Sequence, residues 1–257
     1  MFRAQRNILV TGSARGIGAA TVQRLRDEGH HPIGLDLDDA EIIADLAKPG
    51  GRAAALKAVG ERSEGILHGV IACAGLAGAD TAAMVGVNYF GTIALLEGVR
   101  ELLTAAETPR AVAVSSSSII LDHDEELVET CLVGDEAAAL RLAAKEPRTV
   151  YASTKVALSR WVRRHAIRPE WAGAGILLNA VAPGTVLTRI TRPILATEEG
   201  RAMLAEATPI AVDRYAEAED IAPLLSFLAG PDNRYIVGQT IFADGGKDAI
   251  RRGNRLP

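Results

Sequence analysis

Short apolar runs alternate with helical patterns along the chain. NILVT (7–11), HPIGLD (31–36), GVIACAG (69–75), RAVAVSS (110–116), GILLNAVAP (175–183) and IVGQTIFADGG (236–246) read as strands. Apolar residues at helical spacing lie between them, near 17–28, 50–60, 88–104, 151–168 and 218–229. Strands that are apolar at nearly every position are buried on both faces, and their alternation with helices predicts an α/β fold, a doubly wound parallel sheet with helices on both faces. No repeat, low-complexity tract or Pro/Gly/Ser linker marks a second domain, so one domain over residues 1–257 is expected.

Two segments break the rhythm. Residues 117–149 contain LDHDEELVET and DEAAALRLAAKE, too long for a strand–helix loop and periodic enough to predict a helical insertion before the helix at 151. Residues 185–217 form a second excursion, beyond the strand that ends at Pro183. Excursions at the carboxyl ends of strands are where open α/β sheets bind ligands, which makes this the expected substrate loop.

Composition narrows the partners. The chain has 257 residues, 48% hydrophobic and 23% charged, with a net charge of −4. That balance argues against binding a phosphate backbone, so no nucleic-acid partner is expected, and RRGNR (251–255) reads as a solvated end. Cys73 and Cys131 are too few and too isolated for a disulfide framework or a zinc site; no metal is expected. No apolar run approaches the ~18 residues that span a membrane, and MFRAQRNILVTG leaves no room for a secretory leader. The expectation is a cytoplasmic protein with no membrane partner.

Candidate chemistry begins at the first turn. VTGSARGIGAA sets Gly12, Gly16 and Gly18 between the first strand and first helix, where glycines let backbone N–H groups approach a pyrophosphate. Their Gly-x3-Gly-x-Gly spacing differs from the G-x-G-x-x-G fingerprint, but their place at the first strand–helix junction predicts a Rossmann-type nucleotide site. Eighteen residues beyond Gly18, Asp36 ends the second strand, where a carboxylate accepts hydrogen bonds from ribose hydroxyls and repels a 2′-phosphate. Arg15, inside the turn, could instead meet that phosphate. Asp36 weighs more, so NAD is expected in preference to NADP.

A second constellation lies in RTVYASTKVALS (148–159), which places Tyr151 and Lys155 four residues apart on one helix face. A nearby cation favours phenolate over phenol and is expected to lower the Tyr151 pKa towards the range of a proton-transfer catalyst. His30 and His31 read as exposed turn residues, and Trp161 and Trp171 as packing.

Taken in order, TGSARGIG (11–18), CAG (73–75), NYFG (88–91), VSSS (114–117), YASTK (151–155), NAVAPGTVLT (179–188) and DGG (244–246) carry a family likeness. The chain resembles the short-chain dehydrogenase/reductases over nearly its whole length. GHHPIGLDLDDAEIIADL, ACAGLAG, VNYFGT and the long insertion resemble the bacterial 3α-hydroxysteroid dehydrogenase/carbonyl reductase group, with coniferyl-alcohol dehydrogenases as more distant cousins.

The resemblance implies roles by position. Tyr151 would be the catalytic acid/base, with Lys155 as its partner and holder of the nicotinamide ribose. Ser116 would bind the reacting oxygen, and Asn88 would support a water relay to Lys155. Gly12, Ser13, Arg15, Gly16, Ile17 and Gly18 would surround the cofactor with Asp36, Ala74 and Gly75. Asp45 and Leu46 would flank the adenine; Pro183, Gly184 and Thr185 would border the nicotinamide, with Thr188 near its carboxamide.

Departures from the pattern matter. Ala72-Cys73-Ala74-Gly75 stands where the family often has Asn-Asn-Ala-Gly, which lessens polar support beside the adenosine and makes Cys73 a small buried hydrophobe. Ser116 and Tyr151 are 35 residues apart rather than the commoner spacing, which leaves Ser115, Ser117 and Ser118 as rivals. Strand alternation and the strand-end position favour Ser116.

The resemblance further implies an oxidoreductase that interconverts a secondary alcohol and a ketone on a hydrophobic small molecule, a steroid foremost. Aromatic or terpenoid alcohols are the alternative, and a non-catalytic NAD(H)-binding sensor would not need Asn88, Ser116, Tyr151 and Lys155 together. Leu76, Ile119, Leu187, Ile190, Ile194, Leu195 and Met203 supply an apolar rim. A homodimer or homotetramer is implied, with the insertion expected to alter its interface.

Overall fold

The computed structural model describes residues 5–187 and 195–255. The chain runs β1 (Asn7–Thr11), α1 (Gly16–Asp27), β2 (His31–Asp36), β3 (Ile42–Ile43), α2 (Pro49–Arg62) and β4 (Gly69–Ala72). It continues through α3 (Thr81–Val85), a π-helical turn (Gly86–Gly91), α4 (Thr92–Gly98), α5 (Arg100–Thr104) and β5 (Arg110–Val114). The remainder is a 3-10 turn (Ser117–Ile120), α6 (Glu125–Val133), α7 (Glu136–Lys145), α8 (Val150–His165), β6 (Leu177–Pro183), α9 (Glu198–Ala207), α10 (Ala218–Ala229), β7 (Thr240–Ala243) and α11 (Lys247–Arg252).

The seven strands form one parallel sheet in the order β3-β2-β1-β4-β5-β6-β7. The order reverses between β1 and β4, and such a switch point opens a crevice at the carboxyl ends of the strands. Strand side chains alternate between faces, which explains the continuous apolar runs. Leu9, Val70, Ala111 and Leu178 pack with the helices from α2 to α8, while Ile8, Ile71, Val112 and Val181 pack with Val22 and Leu25 of α1 and Ile221 and Leu225 of α10.

The inserted helices form where the sequence places them, and their ends are chemically marked. The Asp124 carboxylate accepts from the Glu126 and Leu127 N–H groups to start α6, Gly134 closes it, and the Asp135 carboxylate accepts from Ala138 N–H to start α7. α6 packs beside α8, with Glu125 paired to Arg160, while α7 packs against α3 and α6, with Glu136 paired to Arg52 of α2 at 2.6 Å. Arg52 also donates to the carbonyls of Leu46, Ala47 and Gly86, so one half-hidden guanidinium ties four segments together.

Several boundaries differ from the sequence reading. The third run ends as a strand at Ala72, because the Thr11 hydroxyl takes the Ala74 N–H at 2.9 Å in place of a neighbouring strand. The last run shrinks to Thr240–Ala243, between left-handed Gly238 and Gly245. His30 is buried, at 8% exposure, rather than lying on an open turn; its N–H donates to Leu25 and it packs near Arg6 and His68. Trp161 and Trp171 are core residues whose rings meet edge to face at 5.7 Å. Among the described residues, no helix is long and apolar enough to cross a membrane.

Candidate active site

A cleft of about 710 Å³ opens at the switch point. One end is made of main chain. Gly12 has a left-handed φ of 66°, and a Cβ there would lie 2.9 Å from the Cα of Ala74. A Cβ on Gly18 would lie 2.0 Å from the Gly12 carbonyl oxygen, so α1 can pack on the turn only without a side chain at that position. The Asp36 carboxylate accepts from Ala14 N–H at 2.9 Å and from Leu37 N–H at 2.7 Å, which locks the end of β2 to the turn. Arg15 lines the same end, but one of its terminal nitrogens donates to both oxygens of Asp38, at 2.8 and 3.0 Å.

The other end is made of side chains. α8 begins at Val150 and turns Val156, Leu158, Trp161 and Val162 into the core, with Arg163, Arg164 and His165 in the last turn, where cations suit the helix dipole. That orientation sends Tyr151 and Lys155 into the cleft together. Ser116 follows β5, and its hydroxyl lines the same cleft, where, against burial, it acts on the Tyr151 phenol to lower its pKa. The Ser116 oxygen also accepts from Ser118 N–H at 3.1 Å. Two of its rivals are committed elsewhere: Ser115 bonds Ser159 at 2.8 Å and the Lys155 carbonyl, and Ser117 accepts from Lys247 at 3.3 Å, whereas the third, Ser118, keeps a buried hydroxyl with no partner among the described residues.

Electrostatics correct one expectation. Burial raises the Tyr151 pKa above its ordinary value, and the Ser116 hydrogen bond only opposes that rise. Lys155 is 4% exposed, donates to the Val114 carbonyl at 2.9 Å, and is itself pushed down by burial to about 8, against a small opposing influence of Cys73. Desolvation is therefore the larger influence on Tyr151, with only the Ser116 hydroxyl opposing it, and tyrosine rests as the phenol. Burial likewise pushes the Cys73 thiol up to about 12, as suits a packing residue.

Most of the sequence-derived positions meet in this cleft: Gly12, Arg15, Ile17, Gly18, Asp36 and Leu46 towards one end, with Ala74, Gly75, Ser116, Tyr151, Lys155, Pro183, Gly184 and Thr185 towards the other. Four do not line it: Ser13, Gly16, Asp45 and Asn88. Asn88 is fully buried, accepting from Leu76 N–H at 2.7 Å and donating to the Leu76 carbonyl at 2.9 Å. A Cβ on Gly75 would come within 3.2 Å of Lys155 Nζ and 3.3 Å of Asn88 Oδ1, so both polar groups close on one bare backbone position. Ser13 turns its buried hydroxyl towards Gly34, and Asp45 turns to Ala47 N–H and Lys48 rather than lining the cleft. Thr188, Ile190 and Ile194 lie outside the described residues. Of the proposed rim, Leu76 lines the cleft, whereas Ile119 packs against the core. Leu121, Val186 and Thr208 line it too, within the segments 117–121 and 185–215 expected to supply the substrate rim, and so does Lys247, which nothing in the sequence singled out.

A parallel sheet with a switch-point cleft, a glycine turn and a Ser–Tyr–Lys group define a class of enzyme, and comparison with known proteins agrees. The chain belongs to the short-chain dehydrogenase/reductase family and is an oxidoreductase of that family. A family model for enoyl-(acyl carrier protein) reductase matches residues 136–248. The chain is similar to the 3-alpha-hydroxysteroid dehydrogenase/carbonyl reductase of Comamonas testosteroni, with 35% identity over 95% of this chain and 97% of that one. It is also similar to the coniferyl-alcohol dehydrogenase of Pseudomonas sp. strain HR199, with 30% identity over 96% and 98%. Among solved structures, the 3-alpha-hydroxysteroid dehydrogenase of Pseudomonas sp. B-0831 complexed with NADH superposes with a TM-score of 0.89 at 39% identity, covering 97% of this chain and all of the other.

Proposed function

We propose that the protein interconverts a secondary alcohol and a ketone on a hydrophobic, steroid-like substrate with NAD(H). The observation that carries this reading is the meeting of two hydroxyls, Ser116 and Tyr151, in one cleft with Lys155 one helical turn along. The Tyr151 phenol, kept protonated by burial, gives its proton to a ketone oxygen as negative charge builds there, and takes it back from the alcohol in the reverse direction. The Ser116 oxygen already accepts a backbone N–H, which aims its own O–H at the same substrate oxygen. Lys155, held by the Val114 carbonyl, supplies positive charge beneath both.

A dinucleotide fits the residues present. Gly12 and Gly18 leave a backbone cradle that any Cβ would fill, and Asp36 stands at its far end for a ribose. When bound, the nicotinamide gives or accepts the hydride at the substrate carbon. Asp36, Asp38 and Asp39 cluster where a 2′-phosphate would lie, and Arg15 is already held by Asp38, which supports NAD over NADP. The likeness to a 3-alpha-hydroxysteroid dehydrogenase complexed with NADH supports the same choice. A cytoplasmic homodimer or homotetramer completes the proposal; a sedimentation mass equal to one chain would exclude the oligomer.

The deciding assay follows reduced nicotinamide by absorbance. Purified protein is given NAD or NADP with 3α-hydroxysteroids, aryl alcohols and terpene alcohols. Turnover of the steroids with NAD is expected. Preference for an aryl alcohol would move the substrate class towards the coniferyl-alcohol dehydrogenases, and tight NADH binding without turnover of any alcohol would leave a sensor.

A further inference from the structure

Lys247, the first residue of α11, is a buried cation that the Ser116–Tyr151 group does not use. It is 4% exposed and lines the same cleft as Ser116 and Tyr151. Among the described residues its ammonium has one hydrogen-bond partner, the Ser117 hydroxyl at 3.3 Å, whereas an ammonium offers three donors. Among the described residues no carboxylate lies within ion-pair distance of it. The acids adjacent in sequence are taken: Asp244 accepts from the Gly246 and Asp248 N–H groups at 3.0 and 2.7 Å, and Asp248 is paired with Arg252. The buried Ser118 hydroxyl, which has no partner among the described residues, stands on the same wall.

An ammonium withdrawn from water with no carboxylate in ion-pair contact is costly, and burial here lowers the Lys247 pKa, with the Asp244 charge, beyond ion-pair distance, opposing that fall only in part. A ligand that brings the missing negative charge would relieve that cost. The rest of the lining is mainly apolar, so the charge must arrive on an otherwise hydrophobic molecule. Ser116, Ser117 and Lys247 line one cleft, so a carbonyl at Ser116 and an acid at Lys247 can belong to one ligand.

The geometry points to Lys247 and Ser118 as an anion-recognising corner of the substrate cleft, and to a hydrophobic ketone or alcohol carrying a carboxylate as the substrate class. A single cation matches a single carboxylate charge better than a phosphate dianion. This inference rests on the oxidoreductase reading above, and its test separates the two.

Cyclic ketones bearing a carboxylate on tethers of graded length are each compared with their methyl esters, with NADH, in the wild type, Lys247→Met and Lys247→Gln. The glutamine variant keeps a donor for Ser117 but has no charge, and it carries the test if the methionine variant does not fold. The expected result is a wild-type preference for one acid over its ester of about tenfold or more in kcat/KM, expressed mainly in KM. Both variants should lose that preference. Equal use of acids and esters by the wild type at every tether would overturn the inference and leave the oxidoreductase reading intact. An equal drop for acids and esters in both variants would also overturn it, since Lys247 would then only support the Ser117 turn. If no ketone is reduced, the oxidoreductase substrate reading fails instead, and calorimetric binding of the ketone-free carboxylate to the NADH-loaded protein decides the corner. Binding about tenfold weaker in Lys247→Gln upholds it, and equal binding sinks it.

Discussion

At the glycine-turn end of the cleft, three stretches of main chain converge. Gly12 lies against Ala74, Gly18 against Gly12, and Asp36 grips the Ala14 N–H. At the other end four side chains meet: Ser116 after β5, Tyr151 and Lys155 of α8, and Lys247 of α11. The first end is rigid because no side chain intrudes. The second is reactive because polar groups have been withdrawn from water, and each withdrawal shifts a pKa. Shape is thus fixed by what is missing at one end, and chemistry by what is buried at the other.

The sharpest way to separate the ends is Tyr151→Phe. Turnover should fall by ~10²- to 10⁴-fold, the usual contribution of a general acid/base, while NADH fluorescence titration gives nearly the wild-type affinity. Near-normal turnover would remove Tyr151 from the reaction.

Lys155 tests the cost of the reacting end. It titrates at about 8 in the fold against 10.5 as the ordinary value. Between those values the unfolded chain binds the additional proton, so stability from this group rises with pH across that window, by roughly 3 kcal/mol in all. Urea unfolding from pH 7 to 10.5 should show that climb in the wild type and lack it in Lys155→Met. Parallel curves would mean that the lysine carries no such penalty.

Gly18→Ala addresses the opposite end. Its methyl group meets a backbone carbonyl, so a loss of ~1–3 kcal/mol in stability is expected, with weaker NADH binding. Unchanged melting temperature and unchanged affinity would show that α1 can shift to make room. Glu136→Gln should have the smallest effect, about 1 kcal/mol in denaturant unfolding with kcat intact, because Arg52 keeps its three carbonyl acceptors. A tenfold fall in kcat would instead tie the inserted helices to the reaction.

These two ends also differ in how readable they are from sequence. The glycine turn, Asp36 and the Tyr151–Lys155 pair are local: a tight turn, a strand end and a helical repeat each leave a mark within a few residues. Ser116 could be chosen among four serines because strand alternation sends its neighbours elsewhere, and the structure finds Ser115 and Ser117 engaged as that choice requires. Lys247 left no such mark, since its partner Ser117 is 130 residues away. Arg52 and Glu136 are 84 residues apart, and only folding joins them. The direction of the Tyr151 shift was misjudged for a related reason: sequence shows the nearby cation but not how dry its surroundings are.

The wide turn at Gly86–Gly91 carries a consequence of its own. There the Thr92 hydroxyl reaches back to the Val87 carbonyl at 3.0 Å, and Asn88 braces Leu76 from inside the expanded coil. Such a coil accommodates one surplus residue, and each residue advances a helix by about 100°. Excising one would leave a smoother helix but rotate everything downstream, turning Leu95, Leu96 and Leu103 away from the sheet they now cover. Descendants of this chain should therefore vary in spelling along the segment more readily than in length.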